Sequence, residues 1–208
     1  RKHFALKVME RNARTKIDYK WNQRIQNKLV PNIPYVVDTM NTKHHYGIIM
    51  RLYHKGTLSN KLKKVLNKRQ NKPVSVDDYQ AAISAAIKVA LDVSNGVMAF
   101  RKVVEEPRAL FMDIKPDNIF IGRRSEYIIG DLGAVTLDPE IQNGLTLKYA
   151  AWACGTAGFP TEVCDIQSLA FTALQVLCTY NQDLYPLFDQ VHKEDTYGMQ
   201  RDSRLIER

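Results

Sequence analysis

The sequence predicts an α+β fold in two lobes, because short β-prone segments come first and long apolar helical segments follow them. Three strand-like segments lie before residue 53. The segment 79–102 is apolar with a period near 3.6 residues, which is typical of a buried helix of several turns. We therefore assign residues 1–53 to a small strand-rich lobe and residues 54–208 to a larger helical lobe.

The first lobe is predicted to contain three strands and one helix. The strands are predicted at 3–9, 35–39 and 45–52. Between the first two strands, Trp21, Ile25 and Leu29 recur at helical spacing, which predicts a helix over 16–29. Pro31 ends this helix, since proline lacks the backbone N–H that a helix needs.

The second lobe is predicted to be mainly helical. Helices are predicted at 57–68, 79–102 and 165–179, the last of them buried on all sides. Ser75 followed by Asp77 and Asp78 is typical of a helix N-terminus, because a capping hydroxyl and early acids satisfy the free amides there. The segments 118–121 and 127–130 predict a β-hairpin. A loop rich in Gly, Thr and Ala covers 134–160.

The composition is that of an ordinary globular protein, with 45% hydrophobic and 25% charged residues. No apolar run has the length needed to cross a bilayer, so no membrane association is expected. Cys154, Cys164 and Cys178 lack metal-ligand spacing and are predicted to be reduced thiols. The chain starts at Arg1 without a Met or a signal pattern, so upstream sequence is expected. These features favour an intracellular protein, either cytoplasmic or nuclear.

The net charge of +8 is concentrated in the basic stretch 55–72. A solvated helix face rich in Lys and Arg is the favoured interpretation of this stretch. The alternative is a docking surface for an acidic partner or a phosphate. Nucleic acid is not expected as a partner, because no aromatic residues are interleaved there to stack on bases.

The most informative segment reads FMDIKPDN over 111–118, and Asp131-Leu132-Gly133 follows after the predicted hairpin. This series resembles the catalytic loop and the DFG motif of protein kinases. The resemblance implies that Asp113 orients and deprotonates a substrate hydroxyl and that Lys115 supports the transferred phosphoryl group. It also implies that Asn118 and Asp131 bind Mg²⁺, with Mn²⁺ as an alternative ion.

Further matches along the chain support the resemblance to the protein kinase family. The segment FALKV at 4–8 is similar to the kinase VAIK strand, which implies that Lys7 holds the α- and β-phosphates of ATP. The segment 47–58 is similar to the kinase hinge. On that basis Met50 is the gatekeeper of the adenine pocket, and the backbones of Arg51 and Tyr53 bind the adenine edge.

The segment 155–162 resembles the end of a kinase activation segment, although it is one residue short of the usual pattern. The resemblance implies that Thr156 bridges Asp113 and Lys115, and that Glu162 is a structural acid. It also implies that Asp165, at the start of the next helix, anchors the catalytic loop from beneath. A buried Asp needs such backbone partners.

Four departures from the kinase pattern bear on activity. No Gly-rich hairpin precedes Lys7, and few residues follow Thr179, so the family fold would be incomplete at both ends. The helix Glu that pairs with the strand Lys has no clear equivalent, and Asp18 is the nearest acid. Phe111-Met112 replaces the His-Arg that usually precedes the catalytic Asp, which disfavours control by loop phosphorylation.

The leading hypothesis from the resemblance is a Ser/Thr protein kinase that uses ATP and Mg²⁺ on a protein substrate, the Ser/Thr choice being indicated by Lys115. The alternative is a pseudokinase or kinase mimic that acts as a binding or regulatory module, indicated by the missing hairpin and missing helix Glu. A kinase-fold phosphotransferase for small molecules is disfavoured by the segment at Gly155-Thr156, which resembles a platform for peptides.

Overall fold

Three strands, β1 (Phe4–Glu10), β2 (Val36–Asn41) and β3 (His45–Arg51), form an antiparallel sheet in the order β1–β3–β2 in this computed structural model. The structure describes residues 3–69, 75–137 and 162–180, together with Leu184, Pro186 and Phe188. Alternate residues of β1 are exposed and half-buried, and Lys7 lies on the half-buried face. The sheet thus turns Lys7 toward the interior of the molecule.

Helix α1 (Ala13–Ile25) packs against this sheet. It begins at a capping box, in which Asn12 and Thr15 satisfy each other's backbone amides. Trp21 and Ile25 are buried as expected, but Leu29 is 81% exposed. The helix ends at Ile25, because the chain leaves the helical conformation at Gln26 and Asn27 takes a positive φ of 59°. The prediction that the helix extends to Leu29 is therefore wrong.

The remaining helices are α2 (Leu58–Arg69), α3 (Val76–Val104) and α4 (Glu162–Thr179). Strands β4 (Ile119–Ile121) and β5 (Tyr127–Ile129) form the predicted hairpin. Ser75 caps α3 with Asp78 as its capping-box partner. The core is built from fully buried side chains of the sheet, α3 and the hairpin, among them Ile48, Val89, Phe100, Ile119 and Ile129. This antiparallel sheet with helices confirms the α+β class, while the two-lobe division stays a prediction.

Helices α3 and α4 are each buried on one face only. In α3, Val93 is fully buried whereas Ile83, Ile87 and Leu91 are more than half exposed. In α4, Ile166 is 63% exposed, so the prediction that this helix is buried on all sides is wrong. By length and composition alone, α3 could cross a membrane, contrary to expectation. The helix packs against α4 and β5, and 33% of its most apolar stretch is buried.

Two of the three cysteines lie in described parts of the chain. Cys178 is free and buried, whereas Cys164 is disulfide-bonded. The prediction of reduced thiols is therefore wrong for Cys164. The intracellular location that was inferred partly from those thiols stays a prediction.

Candidate active site

Lys7 joins residues that are far apart in the sequence. Its Nζ atom donates to Asp18 Oδ2 at 2.7 Å and to Asp131 Oδ1 at 3.0 Å. Asp18 comes from α1, and Asp131 directly follows the β4–β5 hairpin. The structure therefore supplies the acidic partner of Lys7 that sequence analysis could not assign.

Asp18 is held by a small buried network. Its Oδ1 atom accepts from the side-chain amide of Asn22 at 2.8 Å and from the backbone N–H of Leu132 at 3.2 Å. Asp18 is 2% exposed and Asn22 is 5% exposed. The network attaches α1 directly to the segment that contains Asp131, which lets a side chain one carbon shorter than Glu reach Lys7.

Burial and ion pairing act in opposite directions on this triad. Burial alone would lower the pKa of Lys7, but the charges of Asp18 and Asp131 raise it above its ordinary value. Burial raises the pKa of Asp18, and the attraction of Lys7 does not cancel that effect. For Asp131, burial is outweighed by the charge of Lys7 and by hydrogen bonds from Lys7 and Gly133, so its pKa is lowered. Asp131 is therefore the carboxylate of the pair that is most strongly held in its charged form.

Asp113 lies at the centre of the second cluster. Its Oδ2 atom accepts from Lys115 Nζ at 2.8 Å and from the Asn118 amide at 3.0 Å. Asn118 also donates to the Asp113 backbone carbonyl at 2.9 Å. Among the described residues, Asp113 Oδ1 is buried without a hydrogen-bond partner. An acceptor left in that state is available to a ligand hydroxyl.

Asp165 supports this cluster from α4. It accepts the backbone N–H groups of Phe111 at 3.0 Å and Met112 at 2.8 Å. Arg101 donates to Asp165 at 3.4 Å and to the Ala109 carbonyl at 2.8 Å. Met112 has a positive φ of 63°, an uncommon conformation for a side chain of its kind. The hydrogen bonds to Asp165 hold the backbone in that conformation directly before Asp113.

A cavity of about 380 Å³ lies between β1 and the hairpin. Ala5 lines one side and Phe120 lines the other. The rings of Tyr53 and Phe120 stack with centroids 5.4 Å apart and planes 14° apart. Met50 lines this cavity as well as the adjoining one described below. The space is bounded by flat and small apolar side chains, which suits a planar ring system. We call it the planar cavity.

The segment that follows β3 offers backbone groups to this cavity. The Arg51 N–H already donates to the Tyr35 carbonyl at 3.0 Å, so this N–H is not available to a ligand. Within the described residues, the Tyr53 N–H donates to no backbone acceptor. Arg51 and Tyr53 both line the cavity, and hydrogen bonds from their backbones to an adenine edge stay a prediction.

The adjoining cavity, of about 200 Å³, contains the oxygen-rich side chains. It is lined by Lys7, Asp18, Asp117, Asn118 and Asp131, with Ile48 and Met50 among the others. Asn118 uses its amide nitrogen toward Asp113, so its amide oxygen can face a cation. No group of three or more His, Cys, Asp or Glu side chains in the described residues is arranged for a metal. A divalent ion there would take Asp131 and Asn118 as protein ligands and its other ligands from a substrate, which fits Mg²⁺.

The structure does not place every expected site residue at these cavities. Thr156 is outside the described residues. Glu162 begins α4 and is exposed. In the basic stretch, Lys61 donates to the Tyr127 hydroxyl at 2.9 Å and is half-buried, whereas Lys63 and Lys64 are exposed.

Sequence analysis missed several residues of the site. The sequence indicates Asp18 only as the acid nearest to the position expected for the partner of Lys7. Nothing in the sequence indicates Asn22 except that it follows Asp18 by one helical turn. Asp117 is part of the motif at 111–118, yet it was given no role. Phe120 has the pattern of an ordinary strand residue, because no local sequence feature indicates that its ring forms a cavity wall.

Comparison with known proteins gives one distant relative. No family model matches the chain. Over 176 residues it is 25% identical to the mitosis inhibitor protein kinase SWE1 of Candida albicans, a match that covers 83% of this chain and 13% of that protein. The chain is thus distantly similar to a protein kinase, and its mixed α+β architecture is compatible with a kinase-like fold.

Proposed function

We propose that this chain is a Ser/Thr protein kinase domain that transfers the γ-phosphoryl group of ATP to a protein hydroxyl. The observation that carries the proposal is the convergence of Lys7, Asn118 and Asp131 on one cavity, beside an oxygen of Asp113 that no described residue hydrogen-bonds. The distant similarity to a protein kinase supports it.

The roles follow from charge and position. Lys7 would hold the phosphates of ATP. Its ammonium lies in the cavity that contains Asp131 and Asn118, and this cavity adjoins the planar cavity where the adenine ring would bind. Asp131 and Asn118 would hold Mg²⁺, which neutralises phosphate charge when it is bound. Lys115 would neutralise the phosphoryl group during transfer.

Asp113 would act on the substrate hydroxyl. Its Oδ2 atom accepts from Lys115 and Asn118, whereas Oδ1 has no hydrogen-bond partner in the described parts of the chain. A hydroxyl that donates to Oδ1 would be oriented for attack and would lose its proton to that carboxylate as its oxygen bonds to the γ-phosphorus. The bond between the γ-phosphorus and the bridging oxygen would break in the same transfer, and ADP would leave. In the described part of the chain, the hydrogen-bond donors to Asp165 are two backbone N–H groups and Arg101, so we assign it a positioning role.

The test is transfer of ³²P from γ-labelled ATP to generic protein substrates. Asp113→Asn keeps the size of the side chain but removes the base, and activity is expected to fall about 100-fold or more. Full activity in that variant would reject the mechanism. Phosphoamino-acid analysis of the product then tests the Ser/Thr assignment, since phosphotyrosine alone would contradict it.

A pseudokinase is the second candidate, and the departure from the family pattern at Phe111-Met112 favours it. Both side chains are buried, so apolar residues stand where the family has His and Arg, and Phe111 packs edge-to-face against Phe100. Mg-ATP binding, measured by thermal shift, separates two forms of this candidate. At about 100 times its Kd, a ligand adds roughly 2.7 kcal/mol of stability. A shift without phosphotransfer would identify a nucleotide-binding regulator, and no shift would identify a mimic.

A further inference from the structure

A second large cleft lies on the other side of the segment that connects β3 to α2. Its volume is about 880 Å³, and its basic lining residues are His3, Arg51, His54, Lys55 and Arg123. None of the catalytic or metal-binding candidates lines it. Arg51 and Leu52 line both this cleft and the planar cavity, so the two spaces share one wall.

An adjoining cavity of about 540 Å³ extends the cleft toward the β4–β5 turn. Arg51 and Arg123 line both spaces, and Arg124 and Glu126 line only the second. We call the combined space the basic groove. Its position, bounded by β3, the connecting segment and the β4–β5 turn, places it apart from the lysines of α2.

The basic groove carries an excess of positive charge. In the described part of the chain, Glu126 is the one acidic side chain that lines it, against three arginines and Lys55. Among those same described residues, none of Arg51, Arg123 and Arg124 forms an ion pair. Uncompensated guanidinium groups that line a concave surface attract anionic groups and can bind carboxylates through two hydrogen bonds at once.

Parts of the groove are held in position before any ligand arrives. Lys55 Nζ donates to the Arg123 carbonyl at 3.1 Å and to Ser125 Oγ at 2.9 Å, which ties the β4–β5 turn to the connecting segment. The guanidinium of Arg51 lies over the ring of Tyr35, 5.6 Å from its centroid. A surface held in this way loses less conformational entropy when it binds.

The groove also has apolar walls. Phe4 is 50% exposed and Leu52 is 37% exposed, and Tyr35 and Val37 lie beside them. A free phosphate or another small anion would leave these side chains uncovered. A peptide with both acidic and apolar residues would cover them and satisfy the arginines, and the volume is sufficient for several residues of extended chain.

We propose that the basic groove docks an acidic segment of a partner protein, with carboxylates on Arg123 and Arg124 and an apolar side chain against Phe4 and Leu52. This docking does not depend on phosphotransfer. It places the acidic partner that the basic stretch 55–72 suggested as an alternative at a groove that includes Lys55, and not on the α2 lysines.

Fluorescence anisotropy with a defined probe tests the proposal. The probe is a fluorescein-labelled peptide in which Glu residues flank two Leu residues, and its control has Gln in place of every Glu. The intact chain is expected to bind the Glu peptide and to bind the Gln peptide at least about tenfold more weakly. Affinity should also fall as salt is raised, because the arginines are exposed.

Charge-reversed variants locate the site. Arg123→Glu with Arg124→Glu is expected to weaken binding about tenfold or more, and Arg124→Glu alone by a smaller factor in the same direction. Both residues are exposed in a turn, so an unchanged Tm is expected. Lys63→Glu with Lys64→Glu makes the same change in net charge on the exposed face of α2 and should alter the affinity by less than about twofold.

Three results would overturn the proposal. Equal binding of the Gln peptide would show that carboxylates are not recognised. Equal loss in the Lys63 and Lys64 variant would place the docking surface on α2 or reduce it to net charge. Complete displacement of the peptide by millimolar inorganic phosphate would identify a small-anion site instead. Because peptide binding is measured without ATP, these results are independent of whether phosphotransfer occurs.

Discussion

The Nζ atom of Lys7 lies 2.7 Å from Oδ2 of Asp18, so an aspartate on α1 holds the lysine of β1. Asp131 shares the same ammonium at 3.0 Å. Two carboxylates around one cation are favourable only while the cation is charged, and the raised pKa of Lys7 is consistent with that arrangement.

Replacing Asp18 by Asn is expected to reduce Mg-ATP affinity about tenfold with little loss of stability. Lys7 would lose one of its two ion pairs and keep the one with Asp131, and burial raises the pKa of Asp18, which means that its charged form is costly to keep in the fold. Isothermal titration and chemical denaturation measure the two effects. Asp38→Asn, an exposed acid on β2, is the matched control and should change neither. A variant of Asp18 that binds Mg-ATP like the parent chain would contradict the role of this ion pair.

The stability difference between the parent chain and Asp18→Asn should depend on pH. The folded-state pKa of Asp18 is raised above its ordinary value of 3.8, so the folded chain binds this proton more tightly than the unfolded chain. The parent chain should therefore gain stability relative to the variant as the pH falls from the raised pKa toward 3.8. Urea titrations at several pH values measure this difference, and a gain with rising pH would reverse the sign of the argument.

Replacing Asp165 by Ala should lower both stability and turnover. The backbone amides of Phe111 and Met112 would lose their acceptor in a buried place, which costs about 1–3 kcal/mol for each unsatisfied group. The positive φ of Met112 would then have no support, and Asp113 would shift. We expect kcat to fall more than KM for ATP rises, because Asp165 is not among the described residues that line the two adjoining cavities proposed to bind ATP.

The Asp165→Asn variant controls for packing in that experiment, since it keeps one acceptor oxygen. It should lie between the parent chain and the Ala variant in both Tm and kcat. A KM effect larger than the kcat effect would argue against a positioning role for Asp165.

Gly130→Ala is expected to raise KM for ATP about threefold to tenfold. An added Cβ would lie 2.6 Å from the Phe120 ring and 3.2 Å from Pro34, so the ring would move into the planar cavity. Gly47→Ala is the matched control, because its Cβ would meet mainly the flexible, 40% exposed side chain of Met40. Steady-state kinetics at varied ATP would show the difference, and equal effects of both variants would exclude a specific role for Phe120.

Most secondary structure followed from local patterns. The strands, the hairpin and α2 lie within a residue or two of their predicted bounds, because alternation and turn residues are local signals. The end of α1 could not be predicted from local patterns. The left-handed turn at Asn27 is stabilised by a hydrogen bond from its N–H to the carbonyl of Val36 in β2. The exposed apolar face of α3 was missed for a related reason: a uniformly apolar helix does not show which side meets the core.

By itself, the sequence determined the order of the charged motif residues and the α+β class, because both depend on spacing along the chain. Only the tertiary structure decided that Asp18 is the partner of Lys7, that Phe120 and Tyr53 form a cavity wall, and that arginines from β3 and the β4–β5 turn share a groove. Those relationships join residues separated by tens of positions. Their distances are set by how α1 and the hairpin pack on the core, which no local pattern encodes.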